Sequence, residues 1–203
     1  MYKLLKKIKV ILVLILLLSC LFSFTGCTSM TNIDDLGYVV ALGIDPGSDG
    51  NNLKLSVQIS IPTSSEQSSD SATSAINSIE CSSIDSGINL INTFVSKKLN
   101  LSHCKVVVIS EQLAYNGIDE YLYTLINDIE LRPDTSIVIS KCTAEYYLDN
   151  SKPILEKLPA RYYEISLNSS EYTAYTENVT IREFFYNITD TTSNAYAILR
   201  WSK

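Results

Sequence analysis

Hydrophobic residues along this chain change their spacing from segment to segment, and each spacing predicts a different element. Residues 10–24 form an uncharged, apolar run directly behind Lys3, Lys6, Lys7 and Lys9. A second apolar block, residues 36–45, reads as a buried strand that ends at the turn Pro46-Gly47-Ser48-Asp49-Gly50. Leu53, Leu55, Val57, Ile59 and Ile61 then alternate with polar residues, the period of a strand with one face covered. The two strands predict an antiparallel pair joined by the Gly-containing loop. Residues 63–78 are rich in Ser and Thr, carry no apolar period and predict a mobile surface loop.

From Ser82 the period lengthens. Ile84, Ile88, Ile91, Val95 and Leu99 follow one another at four, three, four and four residues, a stripe along a helix of about four turns. Asp85, Asn89, Lys97 and Lys98 fall on its outer face, acid early and bases late, as the helix dipole favours. Residues 105–109 are a β-branched run, the signature of a strand buried on both faces. Ala114 and the Asn116-Gly117 break lead into a second helical stripe, Ile118, Leu122, Leu125, Ile126 and Ile129. Residues 136–140 predict another buried strand, and 144–148 a short helix. Further on, Tyr162, Tyr163, Ile165 and Leu167 fit a helix or an extended segment. Ile181, Phe184, Phe185 and Ile188 make a helical stripe with Thr180 as its N-cap, and residues 195–199 are strand-like. Strands that alternate with helical crossovers predict an α/β fold. Its expected form is a mixed β-sheet with right-handed βαβ crossover units and flanking helices, behind an N-terminal lipoprotein signal peptide.

The signal peptide follows from the first segment. Its lysines form a positive n-region, the apolar run forms an h-region, and Phe24-Thr25-Gly26-Cys27 stands where a lipoprotein leader would be cut. The run of 15 residues falls short of the roughly 20 that a spanning helix needs. Rival readings are an ordinary cleaved signal, a retained helix, or a cut at Leu17-Leu18-Ser19-Cys20 that would leave Leu21, Phe22 and Phe24 on the mature protein. The expected organisation is a signal peptide over 1–26 and a single α/β domain over 27–203, with Cys27 as the lipid-attachment site. Of the 16 basic residues four lie in the leader, so the remainder sets 12 bases against 22 acids, a formal charge of −10. Such a surface has no attraction for nucleic acid phosphates and is repelled by an anionic membrane face. A lipid has to do the holding.

Little in the chain carries chemistry. Cys81, Cys104 and Cys142 are the cysteines beyond Cys27, none in a metal-ligand spacing, and they read as small core residues, with a Cys104–Cys142 bridge possible if their strands are adjacent. His103, the one histidine, stands at the entrance to the Val-rich strand, and no nucleophile elbow exists to pair with it. No phosphate-cradling glycine motif and no metal-spaced cluster is present, so no catalytic residue, metal or cofactor is expected. Asp34 and Asp35, and Asp128 and Glu130, read as solvated acids, and the sequons at Asn168, Asn178 and Asn187 as chance. Thirteen tyrosines suit either a docking surface or a half-buried core lining.

Several of these residues stand in a pattern that resembles the Ger(x)C spore germination lipoproteins, the C subunits of germinant receptors. They are Gly26-Cys27, the strand closing in Ala41-Leu42-Gly43-Ile44-Asp45, and Leu101-Ser102-His103-Cys104-Lys105-Val106-Val107-Val108-Ile109-Ser110-Glu111 with Leu113-Ala114 and Gly117-Ile118. The segments 128–133 and 136–141 resemble the family's next helix end and strand. The resemblance runs from the signal to about Leu199. It implies a non-enzymatic subunit held by lipid on Cys27 at the outer face of the spore inner membrane, beside integral membrane A and B subunits, and needed for the response to small-molecule germinants. Thr28-Ser29-Met30 stands where the family usually has Trp-Asp. Family members run on through further domains, so the resemblance implies that this chain is the N-terminal domain alone, a truncated form. A small-molecule-binding extracytoplasmic lipoprotein is the alternative reading.

Overall fold

The computed structural model describes residues 1–23, 32–49, 52–61, 74–151, 155–156, 158–173, 177–190 and 197–200. It divides into two units, Met1–Asp34 and Asp35–Lys203. In the first, helix α1 spans Tyr2–Ser23. No described helix is long and apolar enough to cross a membrane.

The second unit is built on a seven-stranded mixed sheet, in agreement with the expected fold class. Strand β1 (Leu36–Pro46) pairs antiparallel with β2 (Leu53–Ser60), and β2 pairs antiparallel with β3 (Ser74–Cys81). On its other side β1 runs parallel to the short β4 (Lys98–Asn100) and to β5 (Val106–Ser110). Parallel strands β6 (Ser136–Ser140) and β7 (Ile198–Arg200) complete the order β3-β2-β1-β5-β6-β7, with β4 off this path.

Helices cover both faces. Alternate residues of β5 serve the two sides: Val107 and Ile109 join one core, Val106 and Val108 the other, which is why the whole run is apolar. The larger core takes in residues of α2 (Ile84–Asn92), α3 (Glu111–Asn116), α4 (Asp119–Asn127) and α7 (Ile181–Thr189). The smaller is closed by α5 (Ala144–Asn150) and α6 (Pro159–Leu167). Two helix starts are capping boxes, Ser83 with Ser86 on α2 and Thr180 with Glu183 on α7, so the Thr180 N-cap expected from sequence is in place. Of the two forms open to residues 162–167, the helical one is adopted.

Four expectations are corrected. The loop expected over 63–78 is strand β3 from Ser74 onward, while 62–73 lie outside the described residues. This edge strand is held by ladder bonds to β2 and by Ser56–Ser78 and Gln58–Ser74 side-chain bonds, while Ile79 and Cys81 pack on the larger core and Ile76 on the smaller, a division between faces too short to show as a period in the sequence. Strand β2 is covered on both faces: Ser56 and Gln58, on the side read as solvated, are 0% and 3% exposed. The helix expected through Leu99 stops at Asn92. Thr93 Oγ1 donates to the Leu90 carbonyl, and the Asn92 Oδ1 accepts from the Leu99 amide at 2.8 Å, which turns the chain so that Leu99 enters the same core from a strand. Ile129 lies beyond the end of α4 and is fully exposed; Leu131 is the residue that returns to the core, because Asp128 Oδ1 accepts from the amides of Glu130 and Leu131 and folds the chain back.

Close approach fixes where the helices sit. A Cβ on Gly43 of β1 would lie 3.0 Å from Leu148 and 3.2 Å from Ala144, so α5 rests directly on the β1 backbone. A Cβ on Gly87 would meet Cys81 and Leu55 at 2.7 Å, so α2 sits equally close to β2 and β3.

Candidate functional site

Cys27, the one site residue that the sequence singles out, lies outside the described residues. The described residues of the motif-bearing segment 101–111 are placed by β5. Leu101 and Cys104 are buried, Val106 to Ile109 are the strand's core residues, and Ser110 caps α3 through its hydroxyl, which accepts from the Leu113 amide. These residues build the fold. Around the start of the strand they leave a polar cleft.

The cleft, of about 320 Å³, lies at the N-terminal ends of β5 and β6. His103, Lys105, Arg132, Asp134, Asn168 and Asn178 are among its walls. His103 is exposed and meets Tyr38 edge to face at 4.8 Å. Arg132 is held at the rim by two hydrogen bonds to Asp134, both 3.2 Å. Asn178 Nδ2 donates to Asn168 Oδ1 at 2.8 Å, whereas Asn178 Oδ1 is buried with no hydrogen-bond partner among the described residues. A buried acceptor left open costs about 1–3 kcal/mol, so a donor arriving there would be stabilising. The two sequons at Asn168 and Asn178 thus face each other, while Asn187 is half-buried on α7. The arrangement can hold a small polar molecule. For covalent chemistry it offers no nucleophile hydrogen-bonded to His103 among the described residues, and no group of three or more His, Cys, Asp or Glu is placed there to hold a metal ion.

Cys104 and Cys142 belong to opposite sides of the sheet, and Cys81, Cys104 and Cys142 are each free, so the possible bridge is not formed. Burial pushes the Cys104 thiol up to about 12 and raises that of Cys81 as well. The thiolate is the reactive form. In the native protein, iodoacetamide is therefore expected to label Cys142 first, with Cys81 and Cys104 labelled only after unfolding; peptide mapping of the alkylated protein measures the order.

Sequence reasoning missed a buried carboxylate. Asp45, 2% exposed at the end of β1, accepts from the Ala144 amide at 2.7 Å and the Glu145 amide at 3.0 Å, with the Ser110 hydroxyl as a further donor. Desolvation raises its pKa above 3.8 in spite of those bonds. Beside it Lys54 Nζ meets Glu145 Oε2 at 2.5 Å, and that hydrogen bond lowers the Glu145 pKa. The signal available was an acid closing an otherwise apolar strand. Asp128 and Glu130 are likewise structural: Glu130 Oε2 accepts from the Leu101 amide at 3.1 Å. The tyrosines divide, with Tyr147 and Tyr163 in the core and Tyr115, Tyr123, Tyr146, Tyr172 and Tyr186 more than half exposed.

Residues 29–199 match the family described as the spore germination protein N-terminal domain. Two proteins of Bacillus subtilis (strain 168) are similar. Spore germination protein KC is 30% identical over 171 residues, 80% of this chain and 41% of its own, and putative spore germination protein YfkR is 26% identical over 149 residues, 71% of this chain and 38% of its own. The chain thus spans about two fifths of the length of these curated relatives. No solved structure matches it significantly.

Proposed function

Because the chain belongs to the Ger(x)C family of spore germination proteins, matching its N-terminal domain, we propose that it is a lipid-anchored, non-enzymatic subunit of a spore germinant receptor. In this reading residues 1–26 are a lipoprotein signal peptide and residues 27–203 the anchored α/β domain. Lipid on Cys27 holds the domain at the outer face of the spore inner membrane, beside the integral membrane A and B subunits, where it is needed for the response to small-molecule germinants. The observation that carries the reading is the family match, which starts two residues past a cysteine standing at the end of a basic, then apolar, leader.

The physics of the anchor supports it. Net charge offers no attraction to anionic lipid, and two acyl chains bind stably where one binds reversibly. A tethered domain also meets membrane partners at high effective concentration, so a modest interface is enough. Cys27→Ala is expected to lower the membrane-pelleted fraction by about tenfold or more and to abolish co-purification with the membrane subunits. Retention of both would refute the proposal.

The open acceptor of Asn178 in the polar cleft favours a second reading, a lipoprotein that itself captures a small polar molecule. A ligand bound to the folded state raises the unfolding temperature by mass action. A thermal-shift screen of the Cys27→Ala protein against candidate germinants separates the two readings.

A further inference from the structure

Between α2 and α4 a surface groove runs over Leu99 and Leu101 of the larger core. The groove there, of about 690 Å³, has Ile88, Leu99 and Tyr123 among its walls, with Ile129 at one rim. Ile129 is 100% exposed and Tyr123 53%. The apolar surface continues past the groove: the Tyr123 ring meets Phe185 edge to face at 5.1 Å, and Phe185 meets Tyr186 of the same helix at 6.2 Å. Contiguous exposed apolar surface with a polar border marks a protein contact rather than a folding requirement.

The border of this groove is acidic. Asp85, Asp128 and Glu130 line it against Lys98 alone among bases. Two of the carboxylates are held in place by backbone amides, Asp128 by Glu130 and Leu131, and Glu130 by Leu101. Each still has lone pairs to offer a cation. Fixed carboxylates around an apolar floor complement a segment whose apolar stripe is flanked by Lys or Arg, the arrangement of an amphipathic helix laid in a groove. We infer that the α2–α4 groove docks a basic, amphipathic segment of a partner protein. The identity of that protein as a receptor subunit rests on the function proposed above; the preference for basic and apolar groups rests on the groove.

The test uses the full chain in phosphatidylcholine nanodiscs and a photoreactive helical peptide of about four turns made of Leu and Lys, with a Leu/Glu peptide of the same length as the opposite-charge probe. Mass spectrometry maps the crosslinks, and empty nanodiscs give the lipid background. Crosslinks from the Leu/Lys probe are expected to concentrate on Tyr123, Ile129 and α2, with few from the Leu/Glu probe. Asp85→Lys and Ile129→Lys, both at exposed positions, should each cut the yield by about thirtyfold, the size of a hot-spot loss. Asp149→Lys, the same charge change at an exposed position on α5, should leave the yield unchanged. Crosslinks spread over the acidic surface, equal yields from the two probes, or an equal loss in Asp149→Lys would overturn the inference. So would full co-purification of the Asp85→Lys and Ile129→Lys chains with the membrane subunits. If the wild-type chain fails to associate with those subunits while the groove still crosslinks, the receptor reading falls and the groove stands.

Discussion

Tyr163→Ala is expected to lower the free energy of unfolding by about 3–5 kcal/mol, the range for emptying a large aromatic site. The ring is 0% exposed, in the smaller core with Val106, Val108 and Leu148. Its hydroxyl donates to Gln58 Oε1 at 2.9 Å, and Gln58 Nε2 donates in turn to Ser74 Oγ at 3.1 Å. The chain of bonds runs from α6 across β2 to the edge strand β3, so one side chain fills a cavity and also satisfies an amide buried on the polar side of β2. Alanine removes both contributions. Tyr163→Phe keeps the volume and strands the Gln58 acceptor, for about 1–3 kcal/mol. Urea unfolding of the two variants separates cavity from hydrogen bond; a Phe variant as unstable as the Ala variant would assign the whole effect to the hydroxyl.

This bond also explains part of what the sequence concealed. The alternation in β2 was legible, and with it the strand, its antiparallel partner and the face that Leu53, Leu55 and Val57 cover. Ser56 and Gln58 look solvated by the same rule, because periodicity records only which residues are polar and not whether a distant Tyr or Ser hydroxyl will satisfy them. Edge strand β3 was hidden for a related reason: Ser, Asn and Glu there take their order from the neighbouring ladder. Elements with strong local signals, the β-branched β5, β6 and the Thr180-capped α7, lie where expected. At the end of α2 the core contacts of Val95 and Leu99 are those of the predicted stripe, but Asn92 and Thr93 terminate the helix by competing for backbone groups. The candidate surfaces were least legible. The polar cleft joins residues from 102 to 178, and the α2–α4 groove joins residues from 85 to 130. Only the fold brings them together, and in the second case the spacing puts Ile129 on a helical stripe whereas it stands exposed beyond the end of α4.

Asp45→Ala is expected to cost about 2–4 kcal/mol, since it leaves the first two amides of α5 and the Ser110 hydroxyl without their acceptor in a dry site. Those bonds fasten the C-terminal end of β1 to the start of the helix that packs on Gly43, so the loss loosens the seat of α5 as well. The carboxylate is nevertheless a strained choice electrostatically. Burial raises its pKa above 3.8, hence the folded state takes up a proton more readily than the unfolded chain, and this group adds stability as pH falls from neutrality through its folded pKa towards 3.8. Glu145 acts in the opposite sense: its pKa lies below 4.5, and the stability it confers is present above that value and fades as pH falls through the lowered one. Asp45→Asn isolates the first contribution, because it keeps the shape and one acceptor but cannot titrate. The stability of the wild type minus that of Asp45→Asn, from urea unfolding at successive pH values, should grow between neutrality and pH 4. A difference that shrinks instead would mean that the two amides and the hydroxyl outweigh desolvation, making Asp45 a favourable buried anion rather than a tolerated one.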